Sequence, residues 1–222
     1  YASKLYRNDN NHYTNISDQA GITSNVLTFG LGVAISDFNN DGWPDISVSN
    51  DFNEPDYLFI NNRNGTFTEQ LRKVMDNISL YSMGSDAADY NNDGFVDLVT
   101  LDMLPEDNKT IKMHSGAENF DKYSRNMLQQ NNGDGTFSEV GQLAGVSNTD
   151  WSWAALFGDY DNDGQKDLFV TNGYVKDYTE MDFLKYTVDR VIRNMRKDSV
   201  DPIPAYIGKM PTIEIPNYIF QN

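Results

Sequence analysis

Short apolar runs alternate with acidic, glycine-bearing loops along most of the chain. The runs Ile46-Ser-Val-Ser49, Leu98-Val-Thr-Leu101 and Leu168-Phe-Val-Thr171 are short and rich in β-forming residues, so each predicts a strand. Each run leaves a loop of one design: Asp37-Phe-Asn-Asn-Asp-Gly-Trp-Pro-Asp45, Asp89-Tyr-Asn-Asn-Asp-Gly-Phe-Val-Asp97 and Asp159-Tyr-Asp-Asn-Asp-Gly-Gln-Lys-Asp167. An aromatic residue stands eight places before each first Asp (Phe29, Tyr81, Trp151), and a small residue five places before it (Gly32, Gly84, Ala154). Downstream, Asp56-Tyr-Leu-Phe-Ile-Asn-Asn-Arg-Asn-Gly-Thr-Phe-Thr-Glu69 matches Asn126-Met-Leu-Gln-Gln-Asn-Asn-Gly-Asp-Gly-Thr-Phe-Ser-Glu139. Both copies read as two short strands around a tight turn. Residues 4–16 are a degenerate copy of this hairpin, and residues 217–222 open another.

Each unit therefore holds about four short strands: one entering the Asp loop, one leaving it, then a hairpin. The first Asp positions lie 52 and then 70 residues apart. Four-stranded units repeated at such a spacing predict an all-β fold, a β-propeller of which this chain carries about three and a half blades. The expected divisions are a half blade over 1–20, then blades over 21–72 and 73–141, and an incomplete blade over 142–222. An open arc would leave strand edges unpaired, so the chain reads as a piece of a longer protein whose remaining blades lie elsewhere. It begins at Tyr1 rather than Met, which predicts that an upstream segment has been removed. Two insertions break the period. Residues 101–125 add a polar stretch, and 179–216 carry a helix over 179–197 followed by a proline-rich return. Met181, Leu184, Val188, Val191, Ile192 and Met195 share one face of that helix, and Thr179 with Asp182 resembles a capping box.

The repeated loop has the logic of a hard-cation site. Calcium takes about six to eight oxygens, and a short loop wraps it if alternate side chains point inward. Positions 1, 3, 5 and 9 would supply side-chain oxygens, position 7 a backbone carbonyl, and the Gly at position 6 the sharp turn. The expected ligands are Asp37, Asn39, Asp41, Asp45 and the carbonyl of Trp43; then Asp89, Asn91, Asp93, Asp97 and that of Phe95; then Asp159, Asp161, Asp163, Asp167 and that of Gln165. An EF-hand would place a Glu at position 12, where this chain has Val48, Thr100 or Val170 inside β-runs. One such loop could be a solvated turn. Three with the same ligand spacing predict three calcium ions, one per loop, in a structural role. The third loop carries four carboxylates against three in the others and is expected to bind most tightly.

Composition changes the picture in one respect. The 222 residues include 33 acidic and 17 basic side chains, a formal charge of −16. That surplus excludes nucleic acid and anionic membrane as partners, since phosphates would repel it. Ten of the acids are ligands of the three loops, so much of the acidity reads as a metal requirement. The absence of cysteine excludes disulfides, thiolate nucleophiles and Cys-ligated zinc. No apolar run approaches the roughly 18 residues of a membrane span.

The segment Phe29-Gly-Leu-Gly-Val-Ala-Ile-Ser-Asp-Phe-Asn-Asn-Asp-Gly-Trp-Pro-Asp-Ile46 resembles the FG-GAP/VCBS repeat of integrin α-subunit propellers. Closer still is the resemblance to bacterial surface proteins of the ASPIC/UnbV, cartilage-acidic-protein-like group, carried also by Asp102-Met-Leu-Pro-Glu-Asp-Asn108 and Val170-Thr-Asn-Gly-Tyr-Val-Lys-Asp177. The resemblance implies an exported propeller of seven or eight blades with calcium in the blade hairpins. The expected function is a non-catalytic binding or scaffold module at a bacterial cell surface, recognising a glycan or protein through its insertions and Tyr174, Tyr178, Tyr186 and Tyr206. The competing expectation is the propeller part of a polysaccharide lyase or glycoside hydrolase. Its candidate groups are His12, His114, the adjacent Glu106 and Asp107, and Glu118 with Asp121.

Overall fold

The computed structural model describes residues 3–23, 25–52, 54–104, 122–173, 176, 181–195 and 207–222, with the helix side chains described over 183–190. Two compact units divide the chain: residues 1–172 with 217–222, and residues 173–216. The first is an all-β, propeller-like array. A hairpin of β1 (Tyr6–Asp9) and β2 (His12–Asn15) is followed by the one-turn helix α1 (Ser17–Ala20). The first four-stranded antiparallel sheet runs in sequence order through β3 (Gly30–Ser36), β4 (Asp45–Asn50), β5 (Tyr57–Asn61) and β6 (Phe67–Glu69). After α2 (Leu71–Val74) and β7 (Ile78–Ser79), the second sheet repeats it with β8 (Ser85–Ala88), β9 (Asp97–Thr100), β11 (Met127–Asn131) and β12 (Phe137–Glu139). Strand β10 (Lys122–Tyr123) pairs in parallel with β7. The third sheet has β13 (Ser152–Gly158), β14 (Asp167–Asn172) and β15 (Tyr218–Phe220), so the chain returns from the second unit into the sheet it left.

The apolar runs are continuous because the middle sheet is buried on both faces. Leu98 packs with Ala34, Phe38, Leu58 and Leu71 of the first repeat. Its neighbour Val99, pointing the other way, packs with Leu168 and Val170 of the third. The small residue before each loop has a steric cause. A Cβ on Gly32 would lie 2.8 Å from the Met83 carbonyl oxygen, and one on Gly84 would lie 2.3 Å from that of Trp153. The first strand of each sheet thus backs directly onto the first strand of the next, and the glycine is what lets them approach.

At the strand ends away from the Asp loops, each sheet has a polar joint, buried in the first two sheets and exposed in the third. The amides of Asn50, Asp102 and Asn172 donate to the side chains of Asp56, Asn126 and Asn217, each at 2.8 Å. Asp102 also accepts from Ser79 Oγ at 2.5 Å, Leu80 N at 3.0 Å, Tyr81 N at 2.9 Å and Met103 N at 2.6 Å. It thereby ties the entrance of the first insertion to the strand before it. Burial pushes the Asp56 carboxyl up to about 7, against the pull of the Asn50 amide, the Ser82 hydroxyl and the Lys122 charge.

The second unit contains α3 (Met181–Met195), which lies within the expected 179–197, the flanking residues being outside the described ones. Its described side chains bury Phe183, whereas Leu184 and Val188, of the expected apolar face, are exposed; the side chains of Met181, Val191, Ile192 and Met195 on that face lie outside the described residues. Thr187 and Arg190 are half-buried. Thr179 and the side chain of Asp182 lie outside the described residues, as do Glu106, Asp107, His114, Glu118 and Asp121 and the tyrosines at 174, 178 and 206. No helix among the described residues is long and apolar enough to cross a membrane.

Two outcomes follow from the packing and the joint. Gly84→Ala is expected to destabilise by about 1–3 kcal/mol through overpacking against backbone, with Ala154→Gly costing less than about 1 kcal/mol, both read from denaturant midpoints. The folded protein holds the Asp56 proton to about pH 7, whereas the unfolded chain releases it near the ordinary carboxylate value, so this group lowers stability as pH rises from about 4 to 7. Asp56→Asn, the residue of the other two repeats, should therefore gain stability relative to the wild type across that interval, by up to about 1.4 kcal/mol per pH unit, and level off above it.

Candidate metal centres

Each loop joins the first two strands of its sheet, and the same backbone devices shape all three. The fourth residue is left-handed in every copy: Asn40 at φ 54°, Asn92 at 58° and Asn162 at 63°. Asn tolerates that region better than other side-chain-bearing residues, which explains its presence at a position with no ligand role. The glycine at position 6 has φ of 86° to 90° in the three copies. These two turns fold the loop back over its first residue. Asp37 accepts from Asp41 N at 2.9 Å and Gly42 N at 2.6 Å; Asp89 from Asp93 N and Gly94 N at 3.0 and 2.9 Å; Asp159 from Asp163 N and Gly164 N, both at 3.0 Å. Position 3 accepts from the amide of position 5 in each copy, and position 5 accepts from the amide of position 7, that is Trp43, Phe95 or Gln165.

Position 9 is where the loop becomes part of the sheet. Asp45, Asp97 and Asp167 are almost completely buried. One oxygen of each accepts the amide of the loop's second residue: Phe38 at 2.9 Å, Tyr90 at 3.1 Å and Tyr160 at 3.0 Å. The other accepts an amide from the far end of the sheet's third strand: Asn61 at 2.7 Å, Asn131 at 2.8 Å and Asn222 at 3.1 Å. Burial raises the Asp45 and Asp97 carboxyls, Asp97 to about 6; the two amides oppose the rise and the other loop carboxylates add to it. In the third loop, carboxylate oxygens of Asp159, Asp161 and Asp167 lie within 4.8 Å of one another, close enough to share one ion. The donors are hard oxygens on a turn-rich loop, the set that suits calcium rather than a thiophilic metal.

The repeat places Asn61, Asn131 and Asn222 in a role that ligand spacing does not reveal. The side-chain amide of Asn131 donates to Val96 O of its own loop at 3.1 Å and to Phe38 O of the preceding loop at 2.8 Å. Asn222 likewise reaches Tyr90 O of the preceding loop at 2.6 Å. Successive loops are thus stapled by one amide. The doublets Asn61-Asn62 and Asn131-Asn132 at one repeat position were the signal for it. In the first loop Arg63 reaches across to Asp41 at 3.1 Å, and in the third Gln221 donates to Asp161 at 2.7 Å. His12, by contrast, is exposed in the first hairpin, and Tyr186 is exposed with the Arg190 guanidinium over its ring.

The model of the FG-GAP-like repeat matches residues 37–100 and 117–170, more than half of the chain. Cartilage acidic protein 1 of Xenopus tropicalis is 26% identical over 191 residues, which cover 85% of this chain and 25% of that protein. The chain thus spans about a quarter of the length of the curated relative it matches.

Replacement of Asn131 separates the staple from the metal. Asn131→Ala is expected to cost about 1–3 kcal/mol in calcium-free buffer, since it leaves two carbonyls without their donor. Asn131→Asp should cost at least as much, because it turns an oxygen toward those carbonyls. Asn64→Asp is the control: Asp134 makes the same contacts to Thr136 that Asn64 makes to Thr66, so chemical unfolding should find it close to neutral.

Proposed function

The chain belongs to the family of FG-GAP-like repeats, and from that premise we propose that it is a calcium-stabilised segment of an extracellular binding or scaffold propeller. The observation that carries the metal reading is the convergence of Asp159, Asp161 and Asp167, together with the same fold of the main chain around all three loops. In this reading one calcium ion sits in each loop, held by the carboxylates and amides at positions 1, 3, 5 and 9 and the carbonyls of Trp43, Phe95 and Gln165. The ion neutralises carboxylates that would otherwise repel one another around a buried acid.

Further blades cover the two ends of the array. Leu156, Tyr160 and Ile219 on the last sheet occupy the repeat positions of Ala34, Phe38 and Leu58 on the first. They are 54%, 43% and 61% exposed, whereas the three on the first sheet are at most 5%. On the other end, Ile35 is exposed at the repeat position of Ala87, which packs into the interface between the first two sheets. A groove of about 330 Å³ lined by Ile22, Val33, Ile35, Ile46, Val48 and Phe59 marks the same open face. These are blade-to-blade surfaces with one partner missing.

An acidic propeller that spends its carboxylates on structural ions has its loops and insertions left for recognition of a protein or glycan. A relative named for cartilage and for its acidity supports an extracellular setting. Placement at a bacterial cell surface rests on the resemblance of residues 102–108 and 170–177. A glycan panel assayed for both capture and bond cleavage tests this part; turnover of any glycan would replace the scaffold with a lyase or hydrolase. For the metal, calorimetric titration should show calcium binding, and the melting temperature should climb with calcium and fall on chelation. Asp159→Asn or Asp167→Asn should weaken the tightest phase. Absence of both heat and stabilisation at millimolar calcium would end the metal reading.

A further inference from the structure

The first two loops share a backbone and a set of candidate ligands but differ in one neighbouring charge. Arg63 lies in the turn between β5 and β6 at φ 63°, and its amide donates to Asn61 Oδ1 at 2.9 Å. Asn61 in turn donates its side-chain amide to Pro44 O at 3.0 Å, so the turn that carries Arg63 is tied to the first Asp loop. From there the guanidinium places Nε and a terminal nitrogen each 3.1 Å from one oxygen of Asp41, the position-5 carboxylate. The Asp41 side chain is only 11% exposed, so this pair is shielded on the acid's side. In the second repeat the same turn position is Gly133; Asp93 accepts from the Asn91 side chain at 2.8 Å as Asp41 does from that of Asn39 at 3.0 Å, so the guanidinium is what the first loop adds.

We propose that Arg63 is a resident counter-cation of the first loop, which makes that loop the weakest and most readily emptied calcium site of the array. This rests on the calcium reading above and concerns how the sites divide. A guanidinium on Asp41 takes one carboxylate oxygen by a charge-assisted bond and repels an incoming divalent ion. It also does part of the ion's work, since it neutralises a loop carboxylate without metal. The order of affinity is then third, second, first: four carboxylates, three, and three of which one is already paired. As calcium falls, the first loop empties while the other two stay filled, and the first loop is the one held by a substitute charge when it does.

The residue at position 7 makes this loop separately visible. Trp43 is half exposed there, where the second and third loops have Phe95 and Gln165. Terbium bound in the first loop should luminesce on tryptophan excitation, and loss of that signal in Trp43→Phe assigns it. Arg63→Gly, the residue of the second repeat, and Arg63→Gln, which keeps a long side chain, should each lower the terbium midpoint of this signal by about threefold to tenfold. The calcium concentration that displaces the terbium should fall in parallel, with total calcium stoichiometry by calorimetry unchanged. In calcium-free buffer Arg63→Gln should melt below the wild type and recover when calcium is added. Midpoints within twofold of the wild type in both variants would overturn the role of Arg63 while leaving the metal sites standing. Silence of every protein toward both terbium and calcium would overturn the two readings together.

Discussion

A buried carboxylate at the ninth position of each loop is the constraint on which the rest of the array depends. Asp45, Asp97 and Asp167 each accept one amide from the loop and one from the third strand of the sheet. Two backbone amides that belong to different parts of the repeat are therefore fixed to one side chain. Taking a carboxylate out of water is costly, and two amides offset only part of that cost. Asp97 remains raised to about 6 because the loop's other acids press on it as well. The fold builds a site that is short of positive charge, at the point where loop, hairpin and sheet meet. A cation there would act on all three at once.

The same point connects one sheet to the next. The strand end whose amide binds the position-9 Asp also carries the Asn side chain that reaches the preceding loop, at Phe38 O from Asn131 and at Tyr90 O from Asn222. Along the first strands the contact is of a different kind, backbone against backbone at Gly32 and Gly84. Between these lie the apolar layers that pack the middle sheet from both sides. Adjacent sheets are thus held by a polar staple at the loop end and by close steric fit at the inner strands. Neither contact tolerates a shift in register, since a one-residue slip turns every side chain to the wrong face.

Much of this was legible in the chain because it repeats. Three loops with one spacing marked the candidate ligand positions, and the apolar runs after them marked a strand of each sheet. The Asn staple was not legible as such. The bonds from Asn61, Asn131 and Asn222 to their aspartates span 16, 34 and 55 residues, because the insertions lengthen the later repeats. A constant partner at a variable separation leaves no spacing to read. The burial of Phe183 on α3 was not legible for a related reason. Periodicity there allows two stripes, and the choice between Leu184 with Val188 and Phe183 with Thr187 depends on what packs against the helix, which local pattern does not contain.

The acidity has a second cause beyond the loops. At the opposite strand ends the chain needs a side-chain acceptor for a backbone amide, buried in the first two sheets, and it uses Asp or Asn interchangeably for the two residues of each joint. The pairs are Asn50 with Asp56, Asp102 with Asn126, and Asn172 with Asn217. No joint has an acid in both places. Two carboxylates in one buried joint would repel, and one would have to take up a proton, whereas an acid facing an amide can accept from it. Asp102 draws five donors and Asp56 two with Lys122 nearby, yet burial pushes both carboxyls up. No joint thus holds more than one acid, and each acid faces an amide. The loops break that rule by crowding three or four carboxylates together, and that departure is what marks them as places where positive charge has to be supplied.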